Sequence, residues 1–164
     1  MAAVTVLAAP LDRISADARV YPAYLLDGVE TGLALFAAAY LGHNDSIHFA
    51  RNDLVGTCVD TDRERLVQMS DLYPDDWRFY NEDAWDFAYQ ARIRGERWDV
   101  VSVDTFTGDA TDRSVRTIEL WCSLARKAVT MTLARGMDYQ IPRGFAASLM
   151  PRSERADWLV LVRD

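Results

Sequence analysis

Three acids stand where three apolar runs end: Asp60 closes "LVGTCVD", Asp83 follows "WRFYNE", and Asp104 closes "WDVVSVD". A carboxylate at the end of a buried strand can accept hydrogen bonds from hydroxyl or amino groups of a ligand, and such charge-assisted bonds are stronger than neutral ones. In an open parallel sheet the ligand crevice lies outside the carboxyl ends of the strands. An acid ending the second strand can therefore take both hydroxyls of a ribose, which is the chemistry open to Asp60. Asp62, two residues on, suits a different role, capping the helix that follows and meeting the positive end of its dipole.

The elements that must position these acids alternate along the chain. Residues 20–26, "VYPAYLL", are predicted as a strand, and "VETGLALFAAAYLG" as a buried helix closed by Gly42. Residues 43–53 form a polar loop. The strand ending at Asp60 leads into a helix with Leu66 and Met69 on one face, stopped by Pro74. A short strand to Asp83, a short helix ended by Gly95, the strand to Asp104, a helix over "DRSVRTIELWCSLARKA" and the strand "AVTMTL" follow. The last two strand-like runs, "GFAASLM" and "DWLVLVR", are joined too tightly for a crossover helix and should form an antiparallel hairpin. The pattern describes an α/β fold: a doubly wound, mostly parallel seven-stranded sheet flanked by helices, with a C-terminal antiparallel hairpin. Residues 1–19 are an N-terminal extension and residues 20–164 a single domain.

The chain has 164 residues, half of them apolar, and a formal charge of −7. Residues 1–110 hold 9 Arg against 19 acids, whereas residues 111–164 hold 9 basic residues against 6 acids, so the front of the molecule is acidic. That argues against nucleic acid as a partner, unless the Arg-rich last third makes a local patch. Cys58 and Cys122 lie in apolar patterns and are expected as buried free thiols of a reducing, cytosolic compartment. No signal-peptide pattern or 18-residue apolar span occurs, so no membrane segment is expected. His43 and His48, with Asp45 and Asp53 nearby, lack the further ligands of a metal set and suit a solvated loop. Of the five tryptophans, all but Trp85 are expected in packing roles.

Over residues 20–164 the chain resembles the class I S-adenosylmethionine-dependent methyltransferases. "LLDGVETGLALFAAAYLG" is similar to their glycine-rich first motif, "TCVDTDRERL" to the ribose-binding second, "WRFYNEDAWDF" to the adenine-binding third, and "WDVVSVDTFTG" to the fourth strand with its active-site acid. The terminal hairpin is similar to that family's antiparallel addition. The resemblance implies S-adenosylmethionine as cofactor, with Gly28 and Gly32 near its methionine part and Asp27 orienting its amine. Glu30 either accepts from that amine or opens a helix. Asp60 would hold the ribose, Asp83 the adenine amino group, the Ala84 amide the adenine edge, and Trp85 the adenine face. Asp104, Thr105 and Phe106 would border the transferred methyl group. Methyl transfer from a sulfonium is an in-line displacement that depends mainly on positioning, so no recognisable triad is required.

The first motif keeps two glycines where the family usually has three, and puts Val29 and Glu30 among them. "DTFT" is not the pattern of enzymes that methylate exocyclic amines of bases, and no Pro-Cys pair follows the fourth strand to attack cytosine. "VDTFTGD" is also similar to the polyamine synthases, which share the fold. A dinucleotide-binding fold would need a G-x-G-x-x-G turn that is absent. Two functions remain: methyl transfer to a small-molecule or protein acceptor, and a non-catalytic domain of the same fold that binds a protein through its acidic face.

Overall fold

The computed structural model describes residues 21–38, 42, 45–105 and 108–164. Residues 1–20, His43, Phe106 and Thr107 are among those outside it, so the N-terminal extension is not described.

A short helix, α1 (Ala23–Leu26), precedes β1 (Thr31–Leu35), α2 (Ser46–Arg51), β2 (Val55–Asp60), α3 (Arg63–Leu72), β3 (Arg78–Asn81), α4 (Ala84–Ile93) and β4 (Trp98–Val103). Two helices, α5 (Gly108–Arg116) and α6 (Ile118–Leu124), then lead to β5 (Ala125–Ala134), β6 (Phe145–Pro151) and β7 (Ala156–Arg163). The seven strands form one sheet in the order β3-β2-β1-β4-β5-β7-β6. The first five are parallel, and β7 runs antiparallel between β5 and β6. The chain switches direction between β1 and β4, where the ligand crevice of such a sheet opens.

The start of the chain departs from the sequence expectation. Residues 23–26 are helical, and the first strand is "TGLAL", inside the segment predicted as a helix. The reason is that β1 is central and covered on both faces, so its apolar run carries no alternation to separate it from a buried helix. The following alanines reinforce the helical appearance. Similarly, the expected loop 43–53 contains α2, whose Ile47 and Phe49 are fully buried. The long helix expected over residues 112–128 is broken at Thr117, and its last residues already belong to β5.

Two apolar layers cover the sheet. On one face Leu33, Leu35, Val59, Val103 and Met131 pack against Phe87, Ala88, Ile118 and Trp121 from α4 and α6. On the other, Ala34, Cys58, Val100 and Ala128 pack against Leu25, Ile47, Phe49, Leu66 and Met69 from α1, α2 and α3. Each fully buried Leu, Ile or Phe stabilises the fold by roughly 1.5–3 kcal/mol. Buried polar groups are tied into this layer: Tyr21 donates to Asp45 Oδ1 and lies 2.9 Å from Thr130 Oγ1, with the Trp158 ring edge-on at 5.1 Å. Burial first, and then the Asp45 charge, raise the Tyr21 pKa well above its ordinary value. Among the described residues no helix is long and apolar enough to cross a membrane.

Candidate functional site

The second strand delivers Asp60 to its carboxyl end as the spacing predicts. Its Oδ2 accepts from the Ala38 amide at 2.9 Å and its Oδ1 from the Asp62 amide at 2.9 Å. Its carbonyl accepts from Asn81 Nδ2 and from the Glu82 amide, each at 3.1 Å. One residue thus joins the ends of β1, β2 and β3. Asp62 caps α3 by accepting from the Arg65 amide at 3.1 Å.

The turn after β1 is Phe36-Ala37-Ala38. Phe36 takes a φ of 59°, in the left-handed region that glycine enters without strain. The Ala37 amide donates to the Val59 carbonyl at 3.1 Å, which holds the turn down on β2. Sequence reasoning missed this turn. The signal was the interval to Asp60, since the acid that takes a ribose follows such a turn by about 20 residues.

Four predicted cofactor residues are corrected by this register. Asp27, Gly28 and Glu30 precede β1 and lie at the amino end of the sheet, opposite the crevice. There Lys127 Nζ donates to the Tyr24 and Asp27 carbonyls at 2.7 and 2.9 Å, and the Glu30 amide donates to Asp99 Oδ2 at 2.9 Å. Gly32 lies inside β1, where a Cβ would come within 2.6 Å of the Phe49 ring, so its glycine serves packing with α2. Burial works against Asp99, but the amides of Glu30 and Thr31, Arg126 and the Thr31 hydroxyl together hold its pKa below the ordinary value.

Asp83 caps α4, with Oδ1 accepting from the Trp85 and Asp86 amides at 3.0 and 3.1 Å. Ala84 opens that helix and is buried. Trp85 is only 5% exposed. Its Nε1 donates to Thr117 Oγ1 at 3.1 Å, the Arg113 guanidinium lies 3.9 Å from its ring centroid, and Phe36 meets it edge-on at 5.2 Å. The ring is therefore a packing element with a cation over it, and the expectation that it covers an adenine face is corrected accordingly.

Asp104 follows β4, its amide donating to the Leu35 carbonyl at 3.2 Å. Its Oδ1 accepts from Thr132 Oγ1 at 3.1 Å and from Arg152 Nη1 at 3.2 Å, and Arg152 also donates to Thr132. Arg152, on the β6–β7 turn, was not singled out in the sequence. Thr105 is buried, and its carbonyl accepts from Thr111 Oγ1 at 3.5 Å. Phe106 lies outside the described residues. A cavity of about 610 Å³ between the α5–α6 junction and residues 138–143 belongs to the other face of the sheet from Thr132. Among the described residues no cluster of metal-ligating side chains occurs. Cys58 and Cys122 are buried thiols, both pushed up to about 12 chiefly by burial.

The residues present fit S-adenosylmethionine in the ribose region. Each Asp60 oxygen accepts from a backbone amide and has the lone-pair capacity to accept a second hydrogen. The turn after β1 keeps a glycine-type backbone at Phe36 and small side chains at Ala37 and Ala38.

No family model and no curated protein matches the chain. Solved structures do. A conserved hypothetical protein of Streptococcus pyogenes superposes with a TM-score of 0.64 at 16% identity, over 82% of this chain and 86% of that one. A SAM-dependent methyltransferase of Agrobacterium tumefaciens gives 0.60 at 14%, over 86% and 60%. Magnesium protoporphyrin IX methyltransferase of Synechocystis gives 0.57 at 16%, over 99% and 78%. With the strand order and the terminal hairpin described above, these similarities establish that the chain has the class I methyltransferase fold.

Proposed function

We propose that the chain is an S-adenosylmethionine-dependent methyltransferase acting on a small-molecule or protein acceptor. The observation that carries this reading is Asp60: an acid at the carboxyl end of the second strand, beside the switch point, bonded to the turn after β1 and with acceptor capacity left on both oxygens. Two neighbours of the same fold, from Synechocystis and the protein SMU.776, are described with bound SAM and SAH respectively.

The bound cofactor supplies an electrophilic methyl group on a sulfonium. Asp60 holds the ribose hydroxyls. Asp83 and the Ala84 amide, at the start of α4, take the adenine edge. Asp104 borders the acceptor side, and the two donors on its Oδ1, Thr132 and Arg152, fix the carboxylate's orientation. The acceptor is held in line by such contacts, which is where most of the catalysis of a displacement resides.

A second reading is favoured by one specific observation. The turn after β1 has no glycine from Phe36 to Ala38, as a fold kept for protein binding through the acidic face would allow. Calorimetric titration with S-adenosylmethionine and with S-adenosylhomocysteine separates the two. Methyl transfer requires one site per chain and a thermal shift with both ligands. No heat and no shift at millimolar ligand would overturn it in favour of the binding domain.

A further inference from the structure

The turn between β6 and β7 stands at the crevice end of the sheet. β7 starts antiparallel beside the end of β5, with Ala156 opposite Ala134, so residues 152–155 lie level with the carboxyl end of β5. The turn is closed by its own backbone: the amides of Arg152 and Ser153 both donate to the Ala156 carbonyl, at 2.9 and 3.0 Å. From this anchored position the Arg152 side chain reaches back across β7 to Thr132 on β5.

There it meets two partners through one nitrogen. Arg152 Nη1 donates to Asp104 Oδ1 at 3.2 Å and to Thr132 Oγ1, while Thr132 donates to the same carboxylate oxygen at 3.1 Å. A guanidinium carries five N–H groups, two of them on Nη1. The others, on Nε and Nη2, have no partner among the described residues. Together Nε and Nη2 form the side-on edge of the guanidinium, a pair of parallel donors that matches the two oxygens of a carboxylate. Neither nearby acid fills it: Asp157 is taken by Arg135 at 3.4 Å, and Glu154 makes no ion pair among the described residues. The Arg152 side chain is only 19% exposed, so this edge is held in one orientation and does not sweep through solvent.

We infer that Arg152 determines specificity by taking a carboxylate of the methyl acceptor on its Nε–Nη2 edge. That the carboxylate belongs to an acceptor rests on the proposed function; the carboxylate site itself does not. Asp104 already balances the charge of Arg152, so the site selects by the geometry of the fork and not by net charge. A carboxylate offers two acceptors to two donors, whereas an amide of the same shape sets its own N–H groups against one of them. Lysine would keep the charge and lose the fork.

Nuclear magnetic resonance of the isotopically labelled full chain tests this, with benzoate as the probe and benzamide as its neutral isostere. The Arg152 Nε–H signal, assigned through the side chain from its own backbone amide, should move saturably with benzoate and stay in place with benzamide. Arg152→Lys should weaken benzoate binding, followed on the amides of the 152–156 turn, by roughly tenfold or more, the loss of one charge-assisted bond. Arg155→Lys, on the same turn, should bind like the parent. An Arg152 signal indifferent to benzoate, an equal response to benzamide, tighter binding of inorganic phosphate than of benzoate, or equal losses in the two variants would overturn the inference. The parent titrations decide it even where Arg152→Lys fails to fold. S-adenosylhomocysteine titrated into the same sample reads the proposed function separately: a spectrum that ignores it sinks that function, and the Arg152 site still stands or falls on benzoate.

Discussion

Asp60 Oδ2 accepts the Ala38 amide at 2.9 Å, so the last residue of β2 fixes the turn that follows β1. Asp60→Ala is therefore expected to act twice. On the proposed function, each charge-assisted bond to the ribose that is lost removes about 1.5–3 kcal/mol, roughly tenfold or more in affinity. Releasing the Ala38 and Asp62 amides lowers stability as well, by about 1–3 kcal/mol. Asp62→Ala should cost about 0.5–2 kcal/mol of stability through the lost cap, with affinity unchanged. Denaturant melts and cofactor titrations of both variants check the pattern.

Phe36 offers a test of backbone strain. Phe36→Ala and Phe36→Gly lose the same ring contact with Trp85, so their difference reports the left-handed φ alone. The glycine variant should be the more stable by about 1 kcal/mol, the reverse of the usual order of these two residues. Equal stability, or a more stable alanine variant, would show that the turn does not hold this conformation in solution.

Acid should reveal Asp99. Its pKa is lowered in the folded chain, so its stabilisation is complete above the unfolded-state value, near 3.9, and fades as pH falls through the lower folded value. Asp99→Asn removes that dependence. Melting temperature plotted between pH 6 and pH 2 should fall less steeply for the variant than for the parent, and parallel curves would contradict the assignment.

Arg152 and Asp104 form a pair with side chains 19% and 10% exposed. Breaking such a pair from one side leaves a charge short of compensation, and Arg152→Met should destabilise by about 2 kcal/mol or more. Adding Asp104→Asn should cost less than the sum of the two single changes, because they share one interaction. Strict additivity in a double-mutant cycle would show that the contact contributes nothing.

The thiols should be inert. With Cys58 and Cys122 both pushed up to about 12 by burial, little thiolate exists at pH 8, and only thiolate reacts. Labelling by a thiol reagent should be slow without denaturant and rapid in its presence.

What was legible in the sequence follows from geometry. Asp60, Asp83 and Asp104 could be placed because "GTCVD", "RFYN" and "WDVVSVD" are bounded on both sides by polar residues and turns. The terminal hairpin was legible because six residues cannot carry a crossover. β1 was not: a central parallel strand and a buried helix are both apolar all round, and the alanines after Leu35 favour a helix in isolation. That displacement put the expected first motif at Asp27-Gly28, ahead of β1, and hid the turn Phe36-Ala37-Ala38, in which Phe36 takes a left-handed φ. Arg152 escaped notice because its partner Asp104 is 48 residues away, a proximity only the antiparallel return of β6 and β7 creates.

Lys127 is the chain's one lysine, and its ammonium bridges the carbonyls of Tyr24 and Asp27, where α1 meets β5. The molecule thus carries a single side-chain amine, already engaged in holding two segments a hundred residues apart. An amine-reactive dye would attach at one interior point of the polypeptide, and its rate of attachment would read out how often that junction opens. A protein otherwise built on arginine comes with its own reporter of local breathing.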